Sequence, residues 1–236
     1  MNSAYPRNIT RNARRFLFIL VALFGVNSGH AATEENRYGL LLLFTDNNSS
    51  NNVPAAIPTK LTDCTLWRQG TVSSARGPLH IGSPNQFAVF SCTKPVVSDI
   101  ERRTTLASLF TNAPHISVLE GPMERQHNVA ENRSTRAYVI KVSHYNNVDP
   151  NGRDIDLAKI NGAAARYPDS WSNEAVISVQ SAIGMARPDD VTILYYDSAQ
   201  QAVRFRKNAP AILKRIGAFN RRHLVSFTYV SGTAGP

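Results

Sequence analysis

Cysteine, tryptophan and methionine are all scarce in these 236 residues, with two, two and three copies. Acid is scarce as well, at 17 Asp and Glu against 26 Lys and Arg. With only Cys64 and Cys92, the chain has no C-x-x-C, which argues against a thioredoxin-like redox role. The six histidines form no H-x-x-H or H-E-x-x-H and no cysteine–histidine metal spacing, so neither a metal nor a cofactor is expected. A G-x-S-x-G elbow, a phosphate loop and a G-x-G-x-x-G turn are likewise absent.

The acid deficit begins at the N-terminus. Residues 1–15 contain Arg7, Arg11, Arg14 and Arg15 and no carboxylate. Eleven uncharged residues follow, Phe16 to Val26, and then Gly29, His30 and Ala31. A positive segment, a short apolar core and a small-x-small site are the parts of a secretory signal. Eleven residues are too few to cross a bilayer, which takes about 20. Residues 1–31 are therefore read as a cleaved signal peptide. The protein is expected to be periplasmic or secreted, with no transmembrane segment after cleavage. The pair Arg14–Arg15 leaves twin-arginine export as a second route, but the very apolar core suits the general secretory one.

Cleavage removes four of the 26 basic residues and none of the acidic ones, so the charge falls from +9 to +5. That is an ordinary surface charge, and nucleic acid is not an expected partner. It suits an anionic ligand or an envelope protein, and a homodimer is a further expectation. In an oxidising compartment Cys64 and Cys92 are expected to pair, which stabilises the fold by about 3–4 kcal/mol through loop closure.

Apolar runs and turn residues place the elements. Residues 38–44 read as a buried strand ended by Asn47 and Asn48. Residues 59–69 are open to a short helix after Pro54 and Pro58. Residues 79–82 and 86–92 read as a hairpin. Ser98 and Glu101 form a capping box opening a helix to about residue 112, and 115–119 are a strand. Tyr138, Ile140 and Val142 alternate in the next strand, ended by Asn146 and Asn147. Residues 153–167 read as a helix. Val176, Val179 and Ile183 recur at helical spacing, so 173–186 read as another, although β-branching leaves a strand open. Residues 191–197 and 201–207 read as a hairpin, Asn208 as a cap of a helix to about residue 220, and 223–230 as the last strand.

This pattern predicts an α+β protein of two tandem ferredoxin-like (βαββαβ) halves, residues 32–121 and 136–236, joined by a linker over 122–135. Leu40, Leu42 and Phe44 oppose Leu41 and Leu43 on the first strand, so both of its faces should be buried. Packing of the halves sheet to sheet, as an α+β barrel-like unit, would do that.

Candidate chemistry is sparse. His115 and His223 stand at strand starts and read as structural. His144 ends a strand beside Tyr145, and this pair is the only candidate for catalysis. Asp154 and Asp156 read as partners of a helix dipole, and Asp189–Asp190 as a turn. Arg204 and Arg206, alternating with Val203 and Phe205 in a presumed strand, could form an anion-binding face with Lys141. The reading preferred from these residues is a non-catalytic binding or interaction protein of the bacterial envelope. The alternative is a cofactor-independent small-molecule enzyme or ligand binder with a cavity between two sheets.

Protein recovered from a bacterial envelope is expected to begin at or near Ala32 and to contain the Cys64–Cys92 bridge. Intact mass before and after reduction and alkylation checks both. A retained residue 1–31 segment, or two thiols that alkylate without reduction, would contradict the respective expectation.

Overall fold

The structure is a computed structural model that describes residues 37–45, 60–61, 63–97, 115–125 and 134–235. The expected signal peptide and the expected helix opening at Ser98 lie outside these residues. The strands are β1 (Tyr38–Phe44), β2 (Lys60–Leu61), β3 (Cys64–Arg76), β4 (Gln86–Cys92), β5 (Ile116–Arg125), β6 (Ala137–Tyr145), β7 (Ser172–Ser178), β8 (Ser181–Ile183), β9 (Asp190–Tyr196) and β10 (Leu224–Ala234). Three helices are found among the described residues: α1 (Pro150–Ala164), α2 (Ala199–Asn208) and α3 (Pro210–His223).

Eight of the strands close on themselves in the order β1-β4-β3-β10-β6-β9-β7-β5, and β5 pairs back to β1. Every pairing is antiparallel. Two short strands lie off this ring: β8 continues the β7 side of β5, and β2 pairs with the start of β3. The expected pair of tandem ferredoxin-like halves packed face to face is therefore corrected to one closed barrel. The overturning contacts are β3 with β10 and β5 with β7, which join strands from the two expected halves into one sheet. Unpaired edges would leave rows of unsatisfied N–H and C=O groups, and closure removes them.

Closure also explains why β1 is apolar on both faces. Leu41 and Leu43 join Phe87, Val89, Leu119, Tyr138, Ile140, Val142, Ile177, Val191, Ile193 and Val230 in one cluster that draws on the strands around the ring, the barrel interior. Leu40, Leu42 and Phe44 point outward and pack with Ala88, Phe90, Val96, Val97 and Val118. On the opposite flank, α1, α2 and α3 cover the outer face of β6, β9 and β10 through Ile160, Phe205, Ile212, Phe219 and Tyr196.

Several local expectations are corrected with it. Residues 60–61 and 64–76 are strand rather than helix, and 79–82 are not a strand; Leu79 and Ile81 instead pack on the interior cluster. Residues 173–186 hold β7 and β8, because Ala175, Ile177 and Val179 alternate into the barrel. Residues 201–207 lie in α2. Ser198 caps it by accepting from Gln201 N–H, and Ala202 and Phe205 bury one helical face while Val203 is exposed. Asn208 closes α2 rather than capping α3, and His223 ends α3 rather than opening β10. The segment 122–135 begins inside β5, which runs to Arg125.

The expected disulfide is present. Cys64 and Cys92 face each other across β3 and β4, with Cα atoms 4.0 Å apart. One end of the barrel holds a buried ionic cluster. Glu174 is the extra residue of a β-bulge in β7, and its Oε1 accepts from Arg68 Nε at 2.6 Å and Arg136 Nη1 at 3.4 Å. The Arg136 guanidinium also lies 3.9 Å from the centre of the Tyr195 ring. The cluster ties β3, β6 and β7 together, and losing one partner of such a group typically costs about 3–5 kcal/mol.

Candidate functional site

Alternation on β6 sends Tyr138, Ile140 and Val142 into the barrel and leaves Lys141, Ser143 and Tyr145 on the outer face, toward the helices. In the β6–β9 register Ser143 is opposite Asp190 and Lys141 is opposite Thr192. Lys141 and Tyr145 are therefore the diagonal neighbours of Asp190. On the other side of β6, Lys141 is opposite Tyr229 of β10. Phe219 and Asn220 of α3 close over the group.

The contacts are specific. Tyr145 Oη donates to Asp190 Oδ2 at 2.5 Å. The Tyr145 backbone N–H donates to Asp189 Oδ2 at 2.6 Å, which fixes the end of the strand. Arg153 of α1 places its guanidinium 4.4 Å from the centre of the Tyr145 ring. Lys141 Nζ lies 5.0 Å from the centre of Phe219 and 5.8 Å from that of Tyr229, an aromatic setting for an ammonium. Asn220 Nδ2 donates to Tyr229 Oη at 3.0 Å.

Burial moves the proton affinities of these groups in opposite senses. Desolvation lowers the pKa of Lys141 to about 8, and the Asp190 charge resists that fall. Desolvation raises Asp190, against its hydrogen bond from Tyr145 and the charge of Lys141. Tyr145 is pushed up by burial, and further by the Asp190 charge and hydrogen bond, so it stays a proton donor. A base made weaker beside an acid made weaker is the arrangement from which proton transfer near neutral pH is built.

The structure brings together two of the expected residues, Lys141 and Tyr145, and separates the rest. His144 has the parity of Val142 and stands on the opposite face of β6 from Tyr145. Its Nε2 is buried and has no hydrogen-bond partner. Arg204 is exposed on α2 and paired with Asp169 at 2.9 Å, while Arg206 Nε donates to Ala202 O at 3.3 Å. The shared basic strand face with Lys141 is corrected, since Arg204 and Arg206 are helical. The missed residue is Asp190, which the sequence presented as half of a turn. Its signal was its place at the first position of a strand that pairs with β6. A hollow between two sheets is also corrected, because side chains from the surrounding strands fill the interior. The candidate site lies outside the barrel, under α3. Among the described residues no group of three or more His, Cys, Asp and Glu could hold a metal ion, and no helix is long and apolar enough to cross a membrane.

No protein-family model and no curated protein matches the chain. Solved structures do. An anthrone oxidase-like protein superposes with a TM-score of 0.52 at 15% identity, over 86% of this chain and 93% of its own. An arginine-to-alanine variant of chlorite dismutase from Candidatus Nitrospira defluvii gives 0.55 at 11% identity, over 86% and 93%. The imidazole complex of that dismutase gives 0.53 at 12% identity over the same shares. The fold matches the chlorite dismutase-like α+β barrel. At these identities the likeness concerns the fold alone. The reading as a non-catalytic envelope interaction protein is corrected, because this architecture is one shared with proteins named for an oxidase and a dismutase.

Lys141 makes stability depend on pH in a defined direction. Below about pH 8 it is charged in both the folded and the unfolded chain, and the folded state bears the cost of burying that charge. Between about 8 and 10.5 the folded chain releases the proton while the unfolded chain keeps it, so stability rises with pH. Across that window wild type is expected to gain on the order of 2–3 kcal/mol relative to Lys141→Met. Denaturant titrations of both proteins from pH 7 to 11 check this, and parallel curves would contradict it.

Proposed function

We propose that the chain is an exported small-molecule enzyme that moves a proton without a cofactor of its own. Lys141 is the base, Asp190 steadies it and Tyr145 holds Asp190. The observation that carries this reading is the placement of Lys141 diagonal to the Tyr145–Asp190 hydrogen bond on one covered sheet face, with its displaced proton affinities. Neutral Lys141 takes a proton from an acidic C–H or O–H of the bound molecule. The ammonium that forms is stabilised by the neighbouring Asp190 carboxylate and the rings of Phe219 and Tyr229. Export is supported by the pattern of residues 1–31, and it would place this chemistry in the periplasm or outside the cell.

The anthrone oxidase-like neighbour supplies a probe, because anthrone carries an acidic CH₂ group beside its rings. Wild-type protein in D₂O is expected to accelerate deuterium exchange at that carbon, followed by NMR, with a rate that rises with pH through about 8. Lys141→Met is expected to lower the catalysed rate on the order of 10²-fold, the usual scale for a general base. Asp190→Asn is expected to shift the rise to lower pH, since Asp190 holds the Lys141 affinity up. Exchange no faster than in buffer, or unchanged in Lys141→Met, would overturn the proposal.

A further inference from the structure

Asp156, Lys159 and Ile160 form one face of α1 at i, i+3 and i+4, and Arg215, Phe219 and Arg222 form one face of α3 at i, i+4 and i+7. With Ala218 these residues line a cleft of about 280 Å³ between the two helices. That volume lies just below the usual range of ligand sites and suits only a compact guest.

The charge of the lining is uneven. Its one carboxylate, Asp156, is already engaged, with Oδ2 3.0 Å from His223 Nε2 and 3.1 Å from Arg222 Nη1. Arg222 is held a second time by Asp149 at 3.4 Å. Lys159 approaches Asp156 only at 3.9 Å, and Arg215 has no ion pair among the described residues. Two exposed cations therefore overhang an opening walled by Ile160 and Phe219, both buried. Phe219 belongs to both places: it lines the cleft, and its ring lies 5.0 Å from Lys141 Nζ. Phe219 therefore stands between the cleft and Lys141, which does not itself line the cleft.

We infer that the α1–α3 cleft binds a compact aromatic carboxylate, its carboxylate held by Arg215 and Lys159 and its ring against the edge of Phe219. The inference goes beyond the proton-transfer reading and does not rest on it: the cleft is a second place, on the far side of Phe219 from Lys141. The chemistry is that of charge-assisted hydrogen bonds to a guanidinium at the rim, with apolar and aromatic contact beneath. An inorganic anion would meet the first feature and leave the second unused.

The test is an NMR titration of the intact disulfide-bonded protein with sodium benzoate, with sodium phosphate as the comparison. Benzoate is expected to shift the amide signals of Lys159, Ala218 and Phe219 in a saturable way, and phosphate to bind at least about tenfold more weakly. Arg215→Ser is expected to weaken benzoate binding about tenfold, the loss of one charge-assisted contact. Lys159→Ser should weaken it too. Both positions are exposed, so neither variant should unfold the protein. Lys141→Met should leave benzoate binding in place, so failure of the base assignment and failure of the cleft are read separately. Absence of saturable shifts, binding unaltered in both Arg215→Ser and Lys159→Ser, or phosphate binding as tightly as benzoate would each overturn the inference.

Discussion

The architecture depends on closing the sheet. Pairing β3 with β10 and β5 with β7 leaves the eight-strand ring without a free edge and creates an inside and an outside. Each strand then owes its two faces to different environments, a common interior and a local outer layer. The outer layer differs around the ring. Beside β1 and β4 it is mostly apolar, with Leu40, Leu42, Ala88 and Phe90 buried around the Glu120 carboxylate, which accepts from the Val96 and Val97 N–H groups. Over β6, β9 and β10 the cover is helical and includes Lys141, Asp190, Tyr145 and Asn220 among the apolar residues. Gly121 marks one cost of closure. An added Cβ there would stand 1.8 Å from Ser178 O, where β5 changes partner from β8 to β7.

Two of the buried polar groups differ in kind. Around Glu174 the charges are locked by short contacts from Arg68 and Arg136 inside a barrel end, which suits a structural tie. Around Asp190 the partners are a tyrosine hydroxyl and an ammonium without a direct ion pair, both displaced in proton affinity by burial. Groups that share a proton-poor site without neutralising one another can exchange protons with a guest. The helix layer supplies the walls: Phe219 faces Lys141 on one side and the α1–α3 cleft on the other.

Strands with alternating apolar residues, β6 and β9, and the uninterrupted apolar run of β1 were legible from sequence. So was the pairing of Cys64 with Cys92, since only two cysteines exist. Residues 201–207 misled because Val203, Arg204, Phe205 and Arg206 alternate like a strand, while the helix is set by Ala202, Phe205 and the Ser198 cap. Residues 173–186 misled in the opposite sense, with apolar residues at helical spacing in a segment that completes the barrel. Closure itself was illegible because it rests on pairings between distant strands that no local period encodes. At the site, Lys141 and Tyr145 were each singled out, but for different places: Lys141 for a face shared with Arg204 and Arg206, Tyr145 as the neighbour of His144. Asp190 was not, because its role arises from the β6–β9 register.

The most direct measurement of the central claim is the titration of Lys141 itself, followed by the ¹³Cε NMR signal of lysine and assigned by its disappearance in Lys141→Met. A midpoint near 8, moving lower in Asp190→Asn, is the result this structure requires. A midpoint near 10.5 that ignores Asp190 would show a solvated lysine and contradict an acid–base site beneath α3.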